Sequence, residues 1–306
     1  MFLALLPAAI AKAPWPAIEV ERPLVLGAGW LEIEVRADLK RATGTYAGDG
    51  AVEPLPAGVG WLYTTEQIGL RYGFLPNAEI YAEVPFAYAV LTEGADRTSE
   101  FGLADLRVGS RVQWFRRHSP GASVASDLCI TVPAGGEDGG SVGLPRDATA
   151  VPLAVGVAGA TLELLARRQF GPTSVTGAVG YTHFFEGQTA YRVASSQAFK
   201  PGDQTGLRLQ PLLQLGPVAL FGELDLRVRY AAATRGSPDT GLTPLSGSDG
   251  WWATLSPGLQ VDLSRGLDLR AAVSLPIAGE DAEFFPIETL TPTRGPGWTA
   301  AIRGRL

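Results

Sequence analysis

The feature that most constrains this chain is a strict alternation of apolar and charged residues along whole segments. Residues 30–40 read WLEIEVRADLK, so that the apolar side chains take one parity and the acids and bases take the other. Successive side chains of a β-strand point to opposite faces, whereas a helix would scatter both sets around its surface. The alternation therefore predicts strands with one apolar face and one charged face.

The same pattern recurs at 104–114 and 218–230 and, continued along the chain, predicts twelve strands. Most of them have about 10 to 13 residues, close to what a tilted strand needs to cross a bilayer. Strands of soluble sandwiches are usually about half as long. The predicted strands are 29–41, 61–75, 79–91, 103–115, 123–133, 155–169, 173–185, 206–215, 218–230, 251–263, 267–277 and 297–306.

The connections between these strands alternate in length. Short turns such as Pro76-Asn77 and Gly171-Pro172 alternate with long segments rich in Gly, Pro, Asp and Thr. Short turns on one rim and long loops on the other are typical of outer-membrane barrels, in which the short-turn rim faces the periplasm. We therefore predict an all-β fold, a transmembrane antiparallel up-and-down barrel spanning 14–306, with both termini on the periplasmic rim. The long loops are 42–60, 92–102, 134–154, 186–205, 231–250 and 278–296.

Two features favour lipid rather than a protein core as the partner of the apolar face. No amphipathic helix is available to cover such long strands, and aromatic residues lie near strand ends on the apolar face, as in the aromatic belts of membrane barrels. No run reaches the roughly 18 apolar residues that a spanning helix needs. A soluble β-sandwich or β-helix is the alternative. The aromatic residues are Phe74, Tyr88, Trp114, Tyr181, Tyr230, Trp251 and Trp298.

The N-terminus reads MFLALLPAAIAKA and is typical of a secretory signal peptide. A short apolar stretch from Phe2 is followed by small-residue patterns that place cleavage near Ala11 or Ala13. We therefore predict a signal peptide over 1–13, although the usual charged start is missing. The alternative is an apolar N-terminus that is not removed.

The charged parity of the strands should line the lumen. Acids and bases are balanced there, which predicts either a network of ion pairs that stiffens the barrel or a lining that selects solutes by charge. Loop 134–154 could fold inward as a constriction or lie on the surface. The residues predicted near mid-height are Glu34, Arg36, Gln67, Arg107, Glu163, Asp225 and Arg227.

Composition excludes several other functions. The net charge is −6 and Lys and Arg do not cluster, which argues against nucleic acid as a partner. Cys129 is the single cysteine and is accompanied by only two histidines, so we expect neither a metal site nor a cofactor. We predict no catalytic residues. The best case for an enzyme would be a lipid-modifying hydrolase using His183 with Ser195 or Ser196, but no G-x-S-x-G motif accompanies them.

Three segments resemble a known family. These are RPLVLGAGWLEIEV (22–35), TTEQIGLRYGFLPNAEIYAEVPF (64–86) and FGLADLRVGSRVQW (101–114). They are similar to porin-like bacterial outer-membrane proteins of the meta-pathway phenol-degradation type, most clearly over 22–132. The resemblance implies an outer-membrane location and uptake of small, partly hydrophobic compounds, and it carries over no site residue. The chain departs from many such barrels by ending in Leu306 rather than in an aromatic residue.

The favoured function is a channel or facilitator for small, aromatic or partly hydrophobic solutes in the outer membrane of a Gram-negative bacterium. The expected partners are outer-membrane lipid and lipopolysaccharide, the solute, and the barrel-assembly machinery. A structural or assembly barrel with an occluded lumen is the main alternative, and a lipid-modifying enzyme is the weaker one.

Overall fold

A computed structural model describes most of the chain, but not the predicted signal peptide or residues 135–155 of the predicted inward loop. The expectations for these two segments therefore lie outside the described residues. The described residues are 16, 19, 22–46, 49–117, 121–134, 156–187, 198–235, 241–244, 248–264, 266–280 and 295–306.

Twelve long strands form one closed antiparallel barrel, which confirms the predicted fold. Six shorter strands accompany them within the described residues. The strands are β1 Leu31–Ala42, β2 Gly44–Tyr46, β3 Val52–Pro54, β4 Val59–Leu75, β5 Ala78–Glu93, β6 Asp96–Leu103, β7 Leu106–Arg117, β8 Ala122–Val132, β9 Gly159–Phe170, β10 Thr173–Phe184, β11 Ala198–Lys200, β12 Gln204–Leu215, β13 Val218–Arg229, β14 Ala233–Arg235, β15 Thr243–Pro244, β16 Gly250–Ser264, β17 Leu267–Glu280 and β18 Gly297–Arg305.

The barrel has an up-and-down topology because each long strand pairs with the long strand that follows it along the chain. The order around the wall is β1, β4, β5, β7, β8, β9, β10, β12, β13, β16, β17 and β18, and β1 closes the ring by pairing with both β4 and β18. The closing register sets Glu34 opposite Arg303 and Leu39 opposite Trp298. Closure removes every free sheet edge from the ring, as a membrane-spanning sheet requires.

The structure differs from the predicted connections in four of the long loops. In two of them, 186–205 and 231–250, β11, β14 and β15 form a small three-stranded sheet. Residues 92–102, expected to be a loop, continue the wall as a hairpin in which β5 pairs with β6 beyond the point where β7 begins. Residues 42–60 contain the small hairpin of β2 and β3. Turn-forming residues such as Gly94 are compatible with both a loop and a tight hairpin, so composition alone did not distinguish them.

The distribution of polarity is the inverse of that in a soluble protein. Apolar side chains such as Val35, Ile80 and Leu162 are exposed on the outer wall, whereas Glu79 and Asp268 inside the barrel are 1% and 0% exposed. Of the predicted aromatic residues, Tyr88 and Trp251 are half-buried and the other five are exposed. An apolar exterior around a charged interior is the arrangement of a transmembrane β-barrel.

The part of the chain that the structure describes contains no helix long and apolar enough to cross a membrane.

Candidate functional site

The residues before the first strand enter the barrel and bind to its inner wall. We call the described residues between Pro16 and Ala28 the luminal segment. The backbone N–H of Leu24 donates to Oε1 of Gln113 on β7 at 3.1 Å, and that of Leu26 donates to Oε2 of Glu79 on β5 at 2.6 Å. Wall side chains therefore replace the hydrogen bonds that this non-strand backbone would otherwise make to water.

A buried ionic cluster holds the luminal segment to the opposite side of the barrel. Two nitrogens of Arg22 lie 3.0 Å from Asp262 and 3.2 Å from Asp268, and the Arg22 side chain is only 2% exposed. Asp268 also pairs with Arg303 and Arg305 from the last strand. Because removing one partner of a buried ion pair leaves an uncompensated charge, this cluster fixes the segment strongly.

The luminal segment crosses the lumen rather than following one wall. The side chain of Leu24 packs against Ala125, Leu165 and Ala178, which lie on β8, β9 and β10. On the side of β4, Gly73 admits the segment because a Cβ atom there would lie 2.1 Å from the carbonyl oxygen of Gly27. The segment therefore occupies the half of the lumen that lies near the rim of the short turns.

Within the described part of the chain, the barrel interior contains a lower and an upper cavity. The lower cavity lies against the luminal segment and has a volume of about 350 Å³, and the upper cavity lies toward the long loops and has a volume of about 500 Å³. Four arginines from four different strands line both cavities and mark the level at which they meet. These are Arg36, Arg71, Arg111 and Arg208.

The structure brings the residues predicted at mid-height together around these cavities. Their part in solute passage stays a prediction. The upper cavity is lined by Arg36, Gln67, Arg107, Glu163, Asp225 and Arg227, and the lower cavity by Glu34 and again Arg36.

Each arginine among these residues has a carboxylate partner. The guanidinium of Arg107 lies 3.1 Å from Glu83 across a strand pair, and that of Arg227 lies 3.0 Å from Asp225 on its own strand. Arg36 pairs with Asp38 at 2.7 Å. The ion-pair network and the charged lining that the sequence left open therefore share side chains, since Arg36 and both members of the Arg107 and Arg227 pairs line a cavity.

The luminal segment is the part of the site that sequence reasoning missed. Residues 22–28 read RPLVLGA and show no alternation, so the strand pattern predicts neither a structure nor a position for them. The available signal was Arg22 itself, the last charge before the apolar run that precedes the first strand. A residue of this kind needs a buried partner whenever the run is buried.

At the long-loop rim, Asp203 organises a separate polar cluster. Its carboxylate accepts hydrogen bonds from Tyr181 at 2.6 Å and Lys200 at 2.9 Å, and it lies 3.0 Å from Nδ1 of His183. Burial alone would raise the pKa of Asp203, but the hydrogen bonds from Tyr181, Lys200, the Phe184 backbone and His183 hold that pKa well below its usual range. His183 is therefore engaged by a structural carboxylate.

The alternative site for a hydrolase does not assemble within the described residues. Ser195 and Ser196 lie outside them, so the pairing of either serine with His183 stays untested. The described residues contain no group of three or more His, Cys, Asp or Glu side chains arranged to hold a metal ion. Cys129 is buried and lines the upper cavity, as a small strand residue would.

These observations define a twelve-stranded transmembrane β-barrel with a charged interior that is partly filled by its own N-terminal residues. No protein-family model matches the chain, and no curated protein matches it. The fold is similar to that of the COG4313 outer membrane channel from Pseudomonas putida F1. That structure has a TM-score of 0.71 and 13% identity, over 92% of this chain and 97% of that one.

Two further solved structures align over similar lengths with lower scores. The β domain of the Bordetella autotransporter BrkA has a TM-score of 0.49 and 14% identity, over 90% of this chain and 98% of that one. The KdgM porin has a TM-score of 0.45 and 11% identity, over 89% of this chain and 98% of that one. At these identities the likeness to the Pseudomonas channel concerns the fold.

Proposed function

We propose that this chain is a channel for small solutes in the outer membrane of a Gram-negative bacterium. The observation that carries the proposal is the pair of cavities, which share four lining arginines and extend along the lumen from the long-loop side to the luminal segment. A barrel that served only as a scaffold has no need for internal space lined by charged groups. The resemblance of residues 22–132 to porin-like proteins and the fold of an outer membrane channel support the same function.

We further propose that the solutes are small and partly hydrophobic or aromatic. The upper cavity offers apolar surface beside its charges, since Tyr63, Pro85, Ala104 and Phe184 belong to its lining. Ligand sites commonly combine an apolar wall with a few polar groups that fix the orientation of the ligand. The resemblance to proteins of the phenol-degradation type points to the same class of compound.

In this proposal the luminal segment acts as the closed gate on the periplasmic side. A solute in the lower cavity meets Leu24, Val25 and Leu26, which are 7%, 2% and 3% exposed. Passage into the periplasm therefore requires the segment to shift. The same observation favours the second candidate function, a structural barrel whose lumen stays occluded.

Conductance of the full-length protein separates these two functions. We expect the protein reconstituted in planar bilayers to give small, discrete current steps, and liposomes containing it to swell in phenol and other small solutes faster than in disaccharides. Vesicles with denatured and mock-refolded protein are the control. Absence of both current and swelling from protein that is folded and inserted would eliminate the channel and leave the occluded barrel.

Export and assembly follow from the same proposal. We propose that residues 1–13 are removed near Ala11 or Ala13, that the barrel-assembly machinery inserts the remainder, and that lipid and lipopolysaccharide surround the outer wall. The intact mass of protein isolated from outer membranes tests the cleavage. A mass that includes Met1 would contradict it.

A further inference from the structure

Arg270 is held in a defined position on the wall of the lower cavity. It lies on β17, and the carbon of its guanidinium is 4.1 Å from the centroid of the Phe221 ring. Phe221 can lie against the wall because a Cβ atom on Gly258 would be 2.3 Å from its ring. A guanidinium stacked on an aromatic face keeps its N–H groups free for other acceptors.

Arg270 makes no ion pair among the described residues. No acid there lies within 4.0 Å of its guanidinium, whereas the neighbouring Arg303 pairs with Asp268 at 2.8 Å. Glu223 and Glu19 act on Arg270 only from a longer distance. Charged side chains inside membrane proteins are usually paired, and those that are not mark sites for ligands or ions. Arg270 therefore presents to the cavity a guanidinium that no described carboxylate contacts.

The surroundings of Arg270 suit an acceptor-rich ligand. The hydroxyls of Ser256 and Ser274 bond to each other at 3.0 Å, and Thr176, Thr299 and Gln210 line the same cavity. The described lining residues include nine arginines and five glutamates, and among these arginines only Arg167 and Arg270 make no ion pair with a described carboxylate.

Of the five glutamates that line this cavity, Glu223 is the one that makes no ion pair with a described arginine. It accepts a hydrogen bond from Gln210 at 3.3 Å. Its charge lies on the same stretch of wall, since Glu223 is paired in register with Ser256. Its removal should therefore strengthen the binding of an anion, which provides an independent test.

We propose that the lower cavity is a binding site for a small organic carboxylate, with the carboxylate on the guanidinium of Arg270 and the apolar part of the ligand among apolar lining residues such as Leu24, Leu165 and Ala272. The inference rests on the proposed function, because it names the class of solute that the channel holds. A planar guanidinium matches a carboxylate through two parallel hydrogen bonds. The volume of about 350 Å³ lies within the range of pockets that enclose small molecules.

Direct calorimetric binding tests the site without requiring conductance. Full-length protein in detergent at low salt is titrated with benzoate and, separately, with benzamide, its neutral counterpart of nearly equal shape. We expect wild-type protein to bind benzoate at least about 10-fold more tightly than benzamide, because only the carboxylate can accept two charge-assisted hydrogen bonds from the guanidinium. Arg270→Gln should remove this preference, and Glu223→Gln should tighten benzoate several-fold.

The control is Arg168→Gln, which removes an exposed arginine that lines neither cavity. It should leave the preference for benzoate unchanged. Equal affinities for benzoate and benzamide in the wild type, or an unchanged preference in Arg270→Gln, would overturn the assignment of a carboxylate site to Arg270. If Arg270→Gln does not fold, a failure of Glu223→Gln to tighten benzoate overturns the site. A selective site in a protein that never conducts would refute the channel and keep the site.

Discussion

Replacing Arg22 by alanine should release the luminal segment and open the periplasmic side of the lumen. Arg22 pairs with Asp262 and Asp268 on the wall, and its backbone carbonyl accepts a hydrogen bond from Arg167 at 2.9 Å. The substitution removes the two wall ion pairs and keeps the backbone contact. Leu24 and Leu26 also keep their backbone hydrogen bonds, so the attachment of the segment to the wall is weakened but not lost.

The size of the effect follows from what the two aspartates lose. Breaking a buried ion pair by removing one partner costs about 3–5 kcal/mol. Asp268 keeps Arg303 and Arg305, so the lower value of about 3 kcal/mol applies here. Since about 1.4 kcal/mol corresponds to a factor of 10, the ratio of open to closed channels should rise by roughly 100-fold.

Single-channel recording at fixed voltage measures this ratio directly. Arg22→Ala should show longer and more frequent open periods than the wild type. The matched control is Arg168→Ala, an arginine-to-alanine change at an exposed position whose guanidinium contacts Phe170 and not the luminal segment. It should behave as the wild type.

The reasoning fails if folded Arg22→Ala opens no more often than Arg168→Ala. In that case either the ionic cluster does not hold the segment, or the segment does not block the current. The urea midpoint distinguishes the two, because a weakened cluster must also lower the stability of the folded barrel.

Three further predictions concern facing, charge and pH. Val108→Arg should cost about 2–4 kcal/mol in a vesicle refolding titration because it places a charge toward lipid, and Arg107→Ala on the lumen side should cost less; equal costs would reverse the assigned faces. Neutralising Arg107 and Arg227 together should shift the reversal potential under a salt gradient toward cation selectivity, and an unchanged potential would remove them from the pathway. The depressed pKa of Asp203 means that its contribution to the free energy of unfolding is complete above the ordinary value of 3.8 and is progressively lost as pH falls below it; between pH 7 and pH 3 the urea midpoint should therefore fall further in the wild type than in Asp203→Asn.

The strands of the barrel, their faces and their order can be predicted from the sequence alone. Alternation is a local property of an extended backbone, so the segment around Val35 reveals its strand, its lipid face and its lumen face without knowledge of any partner. Strand length and the alternation of turns and loops then fixed the number of strands and the topology. For the same reason, the parity of Arg107 and Asp225 predicts that both face the lumen, and both line the upper cavity.

How the lumen is filled, by contrast, follows from tertiary contacts that the sequence pattern does not reveal. Arg22 and Asp268 are 246 positions apart along the chain, and their pairing depends on the path of a segment that has no periodic pattern. Arg107 pairs with Glu83, whereas Arg270 has no described carboxylate within 4.0 Å. This difference depends on the register of the strands and on the reach of side chains across a closed ring. Local periodicity specifies the direction in which a side chain points, whereas its partner is set by contacts between distant strands, and in this lumen those contacts determine what space a solute could use.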